Sequence, residues 1–295
     1  MERSFMSNLA DIVVRKTHKF SVKTVTKQLN DFKQDKDNYR IPFFLKFPRK
    51  MKTNFYDNMK VFEMEPKENN KKHIMYIHGG GYINNFSLFH WLFLIRLSRK
   101  GGYGITAPNY PLLPKYTYKY SYKKVIKYYE EFSRKHDMKN IILMGDSAGG
   151  GFVLALLQEI KKAKLPLPGK AVMLSPFVDA INVDKTLNSK DAVVEAEAAI
   201  LAGIAWSNGD NLSLPPISPT NGNLKNLPPI EIYIGTNEVL YKQCIEVYKK
   251  IKKAGNDISL HIGENMSHVY PLFPIPEGKE AIDKINAFIE KQNFI

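Results

Sequence analysis

Met144-Gly145-Asp146-Ser147-Ala148-Gly149-Gly150 sets one serine among small residues at Gly-x-Ser-x-Gly spacing. Its neighbours supply the context. Asn140-Ile141-Ile142-Leu143-Met144 reads as a short buried strand, and Phe152-Val153-Leu154-Ala155-Leu156-Leu157 as an apolar helix. A serine on a sharp strand-to-helix turn is a nucleophile elbow, with a strained backbone and an exposed hydroxyl. Side chains beside it would clash, so Gly145, Gly149 and Gly150 have a steric reason to be glycine. A glycine-rich turn with an incidental serine competes for the pentapeptide alone; the flanking strand and helix weigh against it.

Upstream, His73-Ile74-Met75-Tyr76-Ile77 has a buried-strand pattern and runs directly into His78-Gly79-Gly80-Gly81-Tyr82. Glycines let a backbone turn its N–H groups inward. Acyl transfer needs such donors for the negative oxygen of its tetrahedral intermediate, and losing one costs about 2.7–4 kcal/mol of transition-state stabilisation. The candidate donors are the amides of Gly80, Gly81 and Ala148. A phosphate-binding loop is the rival, but neither Gly-x-x-x-x-Gly-Lys-Ser/Thr nor Gly-x-Gly-x-x-Gly occurs at this strand end. His78 reads as a structural tether of the loop, with Gly79 beside it.

Together, His78-Gly79-Gly80-Gly81 and Gly145-Asp146-Ser147-Ala148-Gly149-Gly150 resemble the hormone-sensitive-lipase-like esterases of the α/β-hydrolase fold. The resemblance continues through Asn109-Tyr110-Pro111-Leu112-Leu113-Pro114 and Ser175-Pro176-Phe177-Val178-Asp179. Pro229 to Leu240, with Gly235-Thr236-Asn237-Glu238, is similar to the strand and turn that supply the family's acid, here a glutamate. Gly263-Glu264-Asn265-Met266-Ser267-His268 is similar to the loop that delivers the catalytic histidine. The matches span about residues 60–270.

The chain order Ser147, Glu238, His268 is the order of an α/β-hydrolase triad. The resemblance implies Ser147 as nucleophile, His268 as the base that later returns the proton, and Glu238 as the group that orients the imidazole. Asp179 is the rival acid, at the end of an earlier strand. Asp146 is expected to point away from the nucleophile and support nearby loops. His18, His73, His90, His136 and His261 lack the context of His268. No histidine pair has zinc-like spacing and Cys244 is the only cysteine, so no metal, cofactor or disulfide framework is expected. Cys244 reads as a buried apolar filler.

At 295 residues, 44% hydrophobic and 24% charged, the chain suffices for one large α/β domain with a small appendage. Strand-like runs near 73–77, 104–107, 141–145, 170–174, 230–234 and 258–262 alternate with helical stretches near 86–99, 120–135, 149–163, 240–254 and 278–291. Alternation of this kind implies a mostly parallel sheet with helices on both faces. The family likeness adds antiparallel strands within Thr53–Met64. Two regions break the pattern: an N-terminal helical segment, residues 1–50, and a stretch at about 182–226. The second holds an expected helix over Asp191–Leu201 and then Pro-rich chain. In the resembling esterases both places build a cap over the active site, set on the hydrolase domain of residues 51–295; a peripheral helix with a long crossover is the alternative.

The net charge of +14 is uneven: residues 1–140 hold 28 Lys and Arg against 12 Asp and Glu, whereas 141–295 hold 15 against 17. Lysine outnumbers arginine 36 to 7, which fits an AT-rich coding bias; an anionic membrane surface or acidic substrate would also be drawn by the field. Nucleic acid is not expected, since no binding motif accompanies the charge, and Tyr116, Tyr118, Tyr120 and Tyr122 read as an apolar flank at a helix start. The first 25 residues lack an apolar signal region, and Phe86–Ile95 is too short to span a bilayer, so a cytoplasmic location without stable membrane insertion is expected. The implied function is a serine carboxylesterase acting on small, short-acyl esters as its small-molecule partners. A lipase for longer chains, an amide or formamide hydrolase, and a non-catalytic ligand receptor on the same fold are the alternatives. Nothing in the sequence sets an oligomeric state.

Overall fold

Runs of β-branched and aliphatic residues make the strands, and parallel pairing buries both of their faces. The computed structural model describes residues 3–17, 19–31, 36–45 and 51–291; His18 and parts of the N-terminal segment lie outside these. Among the described residues the strands are β1 (Met51–Tyr56), β2 (Met59–Met64), β3 (His73–Ile77), β4 (Gly104–Pro108), β5 (Ile141–Asp146), β6 (Lys170–Leu174), β7 (Ile230–Gly235) and β8 (Ile258–Gly263). They form one sheet in the order β1-β2-β4-β3-β5-β6-β7-β8. β2 is antiparallel to β1 and β4, and the remaining pairs are parallel. β1 and β2 join through Asp57 and Asn58, both at positive φ (43° and 65°), as a two-residue hairpin requires.

The helices are α1 (Phe5–Thr17), α2 (Val22–Leu29), α3 (Leu88–Gly101), α4 (Tyr118–Lys135), α5 (Ala148–Lys162), α6 (Ala196–Ser207), α7 (Tyr241–Lys253) and α8 (Pro276–Glu290). Alternation along the strands divides the core. Met75, Leu143 and Ile232 face a layer that includes Val125 of α4, Phe152 of α5 and Val247 of α7. Ile74, Ile142 and Val172 face the other, with Trp91 of α3 and Ile285 of α8. Tyr118 and Tyr122 are buried on α4, whereas Tyr120 is exposed and stacks on Tyr116 at 4.5 Å, so only half of this tyrosine run packs inward.

Register gathers the chemistry at one edge. Ile77 pairs with Gly145, Asp146 with Leu174, and Gly235 with Gly263, so the loops that follow β3, β5, β6, β7 and β8 leave the sheet side by side. Ligands of open α/β sheets bind outside the carboxyl ends of the strands.

The two irregular stretches meet above that edge. Phe20 pairs with Val194, its amide donating to Val193 O (2.7 Å) and its carbonyl accepting from Glu195 N (3.0 Å). α2 packs on α6, and Trp206 of α6 stacks on Tyr82 of the glycine loop with ring centroids 4.2 Å apart. The helix expected over Asp191–Leu201 begins instead at Ala196. Asp191 Oδ1 accepts from the amides of Val193 (2.9 Å) and Val194 (3.1 Å), which closes a turn, and the β-branched pair then serves the bridge to Phe20. Among the described residues no helix is long and apolar enough to cross a membrane.

The joint between sheet and elbow has no spare room. A Cβ on Gly149 would collide with the carbonyl oxygens of Ile77 and His78. Gly149→Ala is therefore expected to destabilise the fold by about 3 kcal/mol, read as a lower urea midpoint; an unchanged midpoint would show that the joint is looser than described.

Candidate active site

Ser147 sits between β5 and α5 with φ 51° and ψ −122°, a conformation worth about 1–3 kcal/mol of strain for a residue with a side chain. Backbone hydrogen bonds hold it there: its amide donates to Leu174 O (2.8 Å), and its carbonyl accepts from Phe177 N (2.9 Å) and Gly151 N (3.0 Å). The strain aims the hydroxyl off the start of α5, where the helix dipole favours negative charge.

His268 Nε2 lies 2.8 Å from Ser147 Oγ, and His268 Nδ1 lies 2.8 Å from Glu238 Oε2. Glu238 is fully buried and His268 is 2% exposed. The second carboxylate oxygen of Glu238 accepts from Ser175 Oγ (2.8 Å) and from Gly235 N (2.5 Å). Ser175 Oγ also accepts from Val269 N (3.0 Å), so one hydroxyl ties the acid turn to the histidine loop. Burial alone would lower the His268 imidazole, but the hydrogen bond and charge of Glu238 outweigh it and raise its pKa above the ordinary 6.5. Burial raises the Glu238 carboxyl above its usual range, against the opposing pull of His268.

Asp179 is not at this junction. Its carboxylate accepts from the amides of Ile181 (2.9 Å) and Asn182 (3.1 Å) and from Asn182 Nδ2 (2.8 Å), closing a local turn. A different carboxylate is close by: Asp191, fully buried, accepts from Val239 N (3.0 Å), next to the acid. The sequence does not reveal this role of Asp191, because Val239 lies 48 positions away. Nor does it reveal the role of Ser175, which stands out there only as the first residue of the Ser175–Asp179 stretch of the family resemblance.

Gly80 (φ 103°) and Gly81 (φ 64°) turn the glycine loop back over the elbow. Among the described residues no acceptor takes the amides of Gly80, Gly81 or Ala148, and all three residues line the same cavity as Ser147 and His268. A Cβ on Gly81 would strike the ring of Phe20, which closes over the loop from the N-terminal segment. The loop is braced from below. Asp146 Oδ1 accepts from Gly79 N (2.9 Å) and Tyr76 OH (2.6 Å), and its Oδ2 meets His90 Nε2 at 3.2 Å. Burial would raise the Asp146 carboxyl, but His90 and these hydrogen bonds hold it below its usual range. His78 stacks on Tyr110 and bonds Gly79 O through Nδ1 (2.7 Å); burial takes its pKa down to about 3, so it stays neutral. Gly145 packs beneath the elbow, where a Cβ would press on Gly149 and Ile77.

The cavity holds about 370 Å³ and is mostly apolar, with Phe20, Val193, Val194, Ala199, Ala202 and Phe273 in its walls. Among the described residues no cluster of three or more His, Cys, Asp or Glu could hold a metal ion.

Known proteins share this fold. Residues 74–272 match the α/β hydrolase fold family. The chain is 28% identical over 232 residues to an acetyl-hydrolase of Streptomyces hygroscopicus, covering 77% of this chain and 78% of that one. It is 26% identical over 223 residues to an esterase of Acinetobacter venetianus, covering 73% of each. An esterase from the bacterial hormone-sensitive lipase family superposes with a TM-score of 0.83 at 25% identity, over 99% of both chains. The chain belongs to the α/β-hydrolase fold family, as an ester hydrolase of its hormone-sensitive-lipase-like group.

The hydrogen bonding makes a spectroscopic prediction. His268 should titrate above the ordinary 6.5, and Glu238→Gln should move it down, while Asp179→Asn leaves it in place. Imidazole nitrogen shifts followed by NMR across the pH range check this; a His268 titration unmoved by Glu238→Gln would contradict the assignment of its partner.

Proposed function

We propose that the protein is a serine carboxylesterase that hydrolyses small, short-acyl esters through an acyl-enzyme. The observation that carries this is the unbroken line Ser147 Oγ–His268 Nε2, His268 Nδ1–Glu238, each link 2.8 Å, opening into a cavity with three amides that no acceptor takes among the described residues. In this scheme His268 Nε2 removes the Ser147 proton as Oγ attacks the ester carbonyl. Negative charge moves to the carbonyl oxygen, where the amides of Gly80, Gly81 and Ala148 and the start of α5 receive it. The carbonyl re-forms, the alcohol leaves with the proton from Nε2, and Ser147 keeps the acyl group. A water then gives its proton to His268, attacks, and releases the acid. Glu238 holds the imidazole in the tautomer with hydrogen on Nδ1 and stabilises its cationic form. Asp146 takes no part in proton transfer in this scheme; it positions the glycine loop through Gly79 N.

Substrate size follows from the enclosure. We read the N-terminal segment and residues 182–226 as a cap: Phe20, Val193, Val194 and Ala199 come from these two stretches and supply much of the apolar wall. A volume of about 370 Å³ is near the lower end of the roughly 300–1,000 Å³ typical of ligand pockets, which favours short acyl groups. A cytoplasmic location fits the single, buried, unpaired Cys244.

A panel of p-nitrophenyl esters of increasing acyl length tests the reading. Each methylene should add about 0.8 kcal/mol of favourable burial while it fits, so kcat/KM should peak between acetyl and hexanoyl; best activity on long-chain emulsified esters would favour a lipase instead. Ser147→Ala should remove fluorophosphonate labelling and cut turnover by about a millionfold; a folded variant that keeps a few per cent of activity would reject the nucleophile. Because the base must be neutral and its pKa lies above the ordinary 6.5, activity should be lost as pH falls through that raised value. Glu238→Gln should shift this acid limb to lower pH and slow turnover by about 10⁴-fold; a profile flat from pH 5 to 8 would argue against a histidine base.

A further inference from the structure

Helix α1 wears its apolar residues outward. Phe5 is 78% exposed, and Met6, Leu9, Ile12 and Val13 are 44–53% exposed. At 3.6 residues per turn these five fall within an arc of about 120°, a coherent stripe of the kind that normally faces a core. The opposite side of the helix is attached to the body largely by polar contacts. The Ser4 and Ser7 hydroxyls donate to Glu277 (2.9 and 2.6 Å), Ser267 donates to Asp11 (2.7 Å), and Arg3 pairs with Asp11 at 2.5 Å. The inward side therefore combines the buried Val14 and the packed Ala10 with hydroxyls and charges, while the larger apolar side chains meet water.

The charge carried by α1 and the helix that follows it in the chain selects the occupant. Arg15 and Lys16 close the last turn of α1, and Lys23 and Lys27 are exposed along α2. They belong to the part of the chain that carries the whole positive excess. A second copy would bring the same cations against these, whereas an anionic bilayer surface attracts them and accepts the stripe at its headgroup boundary. We propose that the outer face of α1 seats the protein on an anionic lipid surface, with the pocket mouth beside the contact. The placement is direct: Val14 and Thr17 of the same helix line the cavity, and Asp11 holds Ser267, the residue before His268. Binding of this kind does not depend on the proposed reaction; only its use, taking up esters dissolved in the membrane, rests on that reading.

Flotation of the full chain with vesicles tests it, using phosphatidylcholine alone and phosphatidylcholine mixed with phosphatidylglycerol. Binding is expected on the mixed vesicles, falling as salt is raised, and much weaker on the neutral ones. Phe5→Ser combined with Leu9→Ser and Ile12→Ser should lower partitioning about tenfold or more while kcat/KM on a dissolved ester stays as in the wild type. Lys16→Glu with Lys23→Glu and Lys27→Glu should do the same by a separate route, so a folding defect in one set does not decide the outcome. Ser147→Ala should bind vesicles as the wild type does, whether or not the hydrolysis reading holds. Failure of the wild type to bind mixed vesicles would overturn the proposal. So would wild-type binding retained by the Phe5→Ser, Leu9→Ser, Ile12→Ser variant, or a dimer in sedimentation that this variant abolishes without any lipid binding.

Discussion

A glutamate with no contact to solvent has to be compensated, and the hydrogen bond from His268 to Glu238 is where this protein does so. Burying an isolated carboxylate costs several kcal/mol, and the cost is met only when every lone pair finds a donor. Here the donors are His268 Nδ1 on one oxygen and Ser175 Oγ with Gly235 N on the other. Ser175 and His268 come from the loops after β6 and β8, and Gly235 ends β7. Satisfying the carboxylate therefore fixes the loops after β6, β7 and β8 relative to each other, and the imidazole is delivered to Ser147 as a consequence.

The other half of the site rests on a second buried carboxylate. Asp146 ends β5 and reaches across to Gly79 N, so the elbow and the glycine loop are joined through one side chain. Tyr110 OH adds a bond to His78 O (3.0 Å), and Leu113 N one to Tyr82 O (2.9 Å). The loop that presents the Gly80 and Gly81 amides is thus held at both ends. From above it is covered by Phe20 and by Trp206 stacked on Tyr82, which gives the N-terminal segment and α6 a direct contact with the site. Coupling between pocket shape and amide placement follows from that contact.

Much of this was legible because each motif is adjacent in sequence to the strand that positions it. His78 to Gly81 follow β3, Ser147 follows β5, Glu238 follows β7 and His268 follows β8, so local patterns sufficed to bring them to one edge. The sheet itself was equally readable, since strands buried on both faces are continuous apolar runs. The hairpin of β1 and β2 was placed by family likeness alone, although Asp57-Asn58 carried a local turn signal. What stayed hidden depends on contacts distant in sequence. Asp191 begins a helix-like stretch in sequence but is drawn into a turn and a bond to Val239 N. Ser175 gives no hint that it serves two loops, and His90 none that it reaches Asp146. The choice between Asp179 and Glu238 as the partner of His268 needed the turn at Ile181 and Asn182, which occupies the aspartate.

The central claim is that Ser147 carries the acyl group between two half-reactions. Acid-quenching the enzyme during turnover of a p-nitrophenyl ester and mapping the digest by mass spectrometry tests it most directly. The account predicts the acyl mass on the peptide containing Ser147, with none in the Ser147→Ala variant. Turnover with an acyl group on a different residue, or an adduct that survives Ser147→Ala, would contradict it.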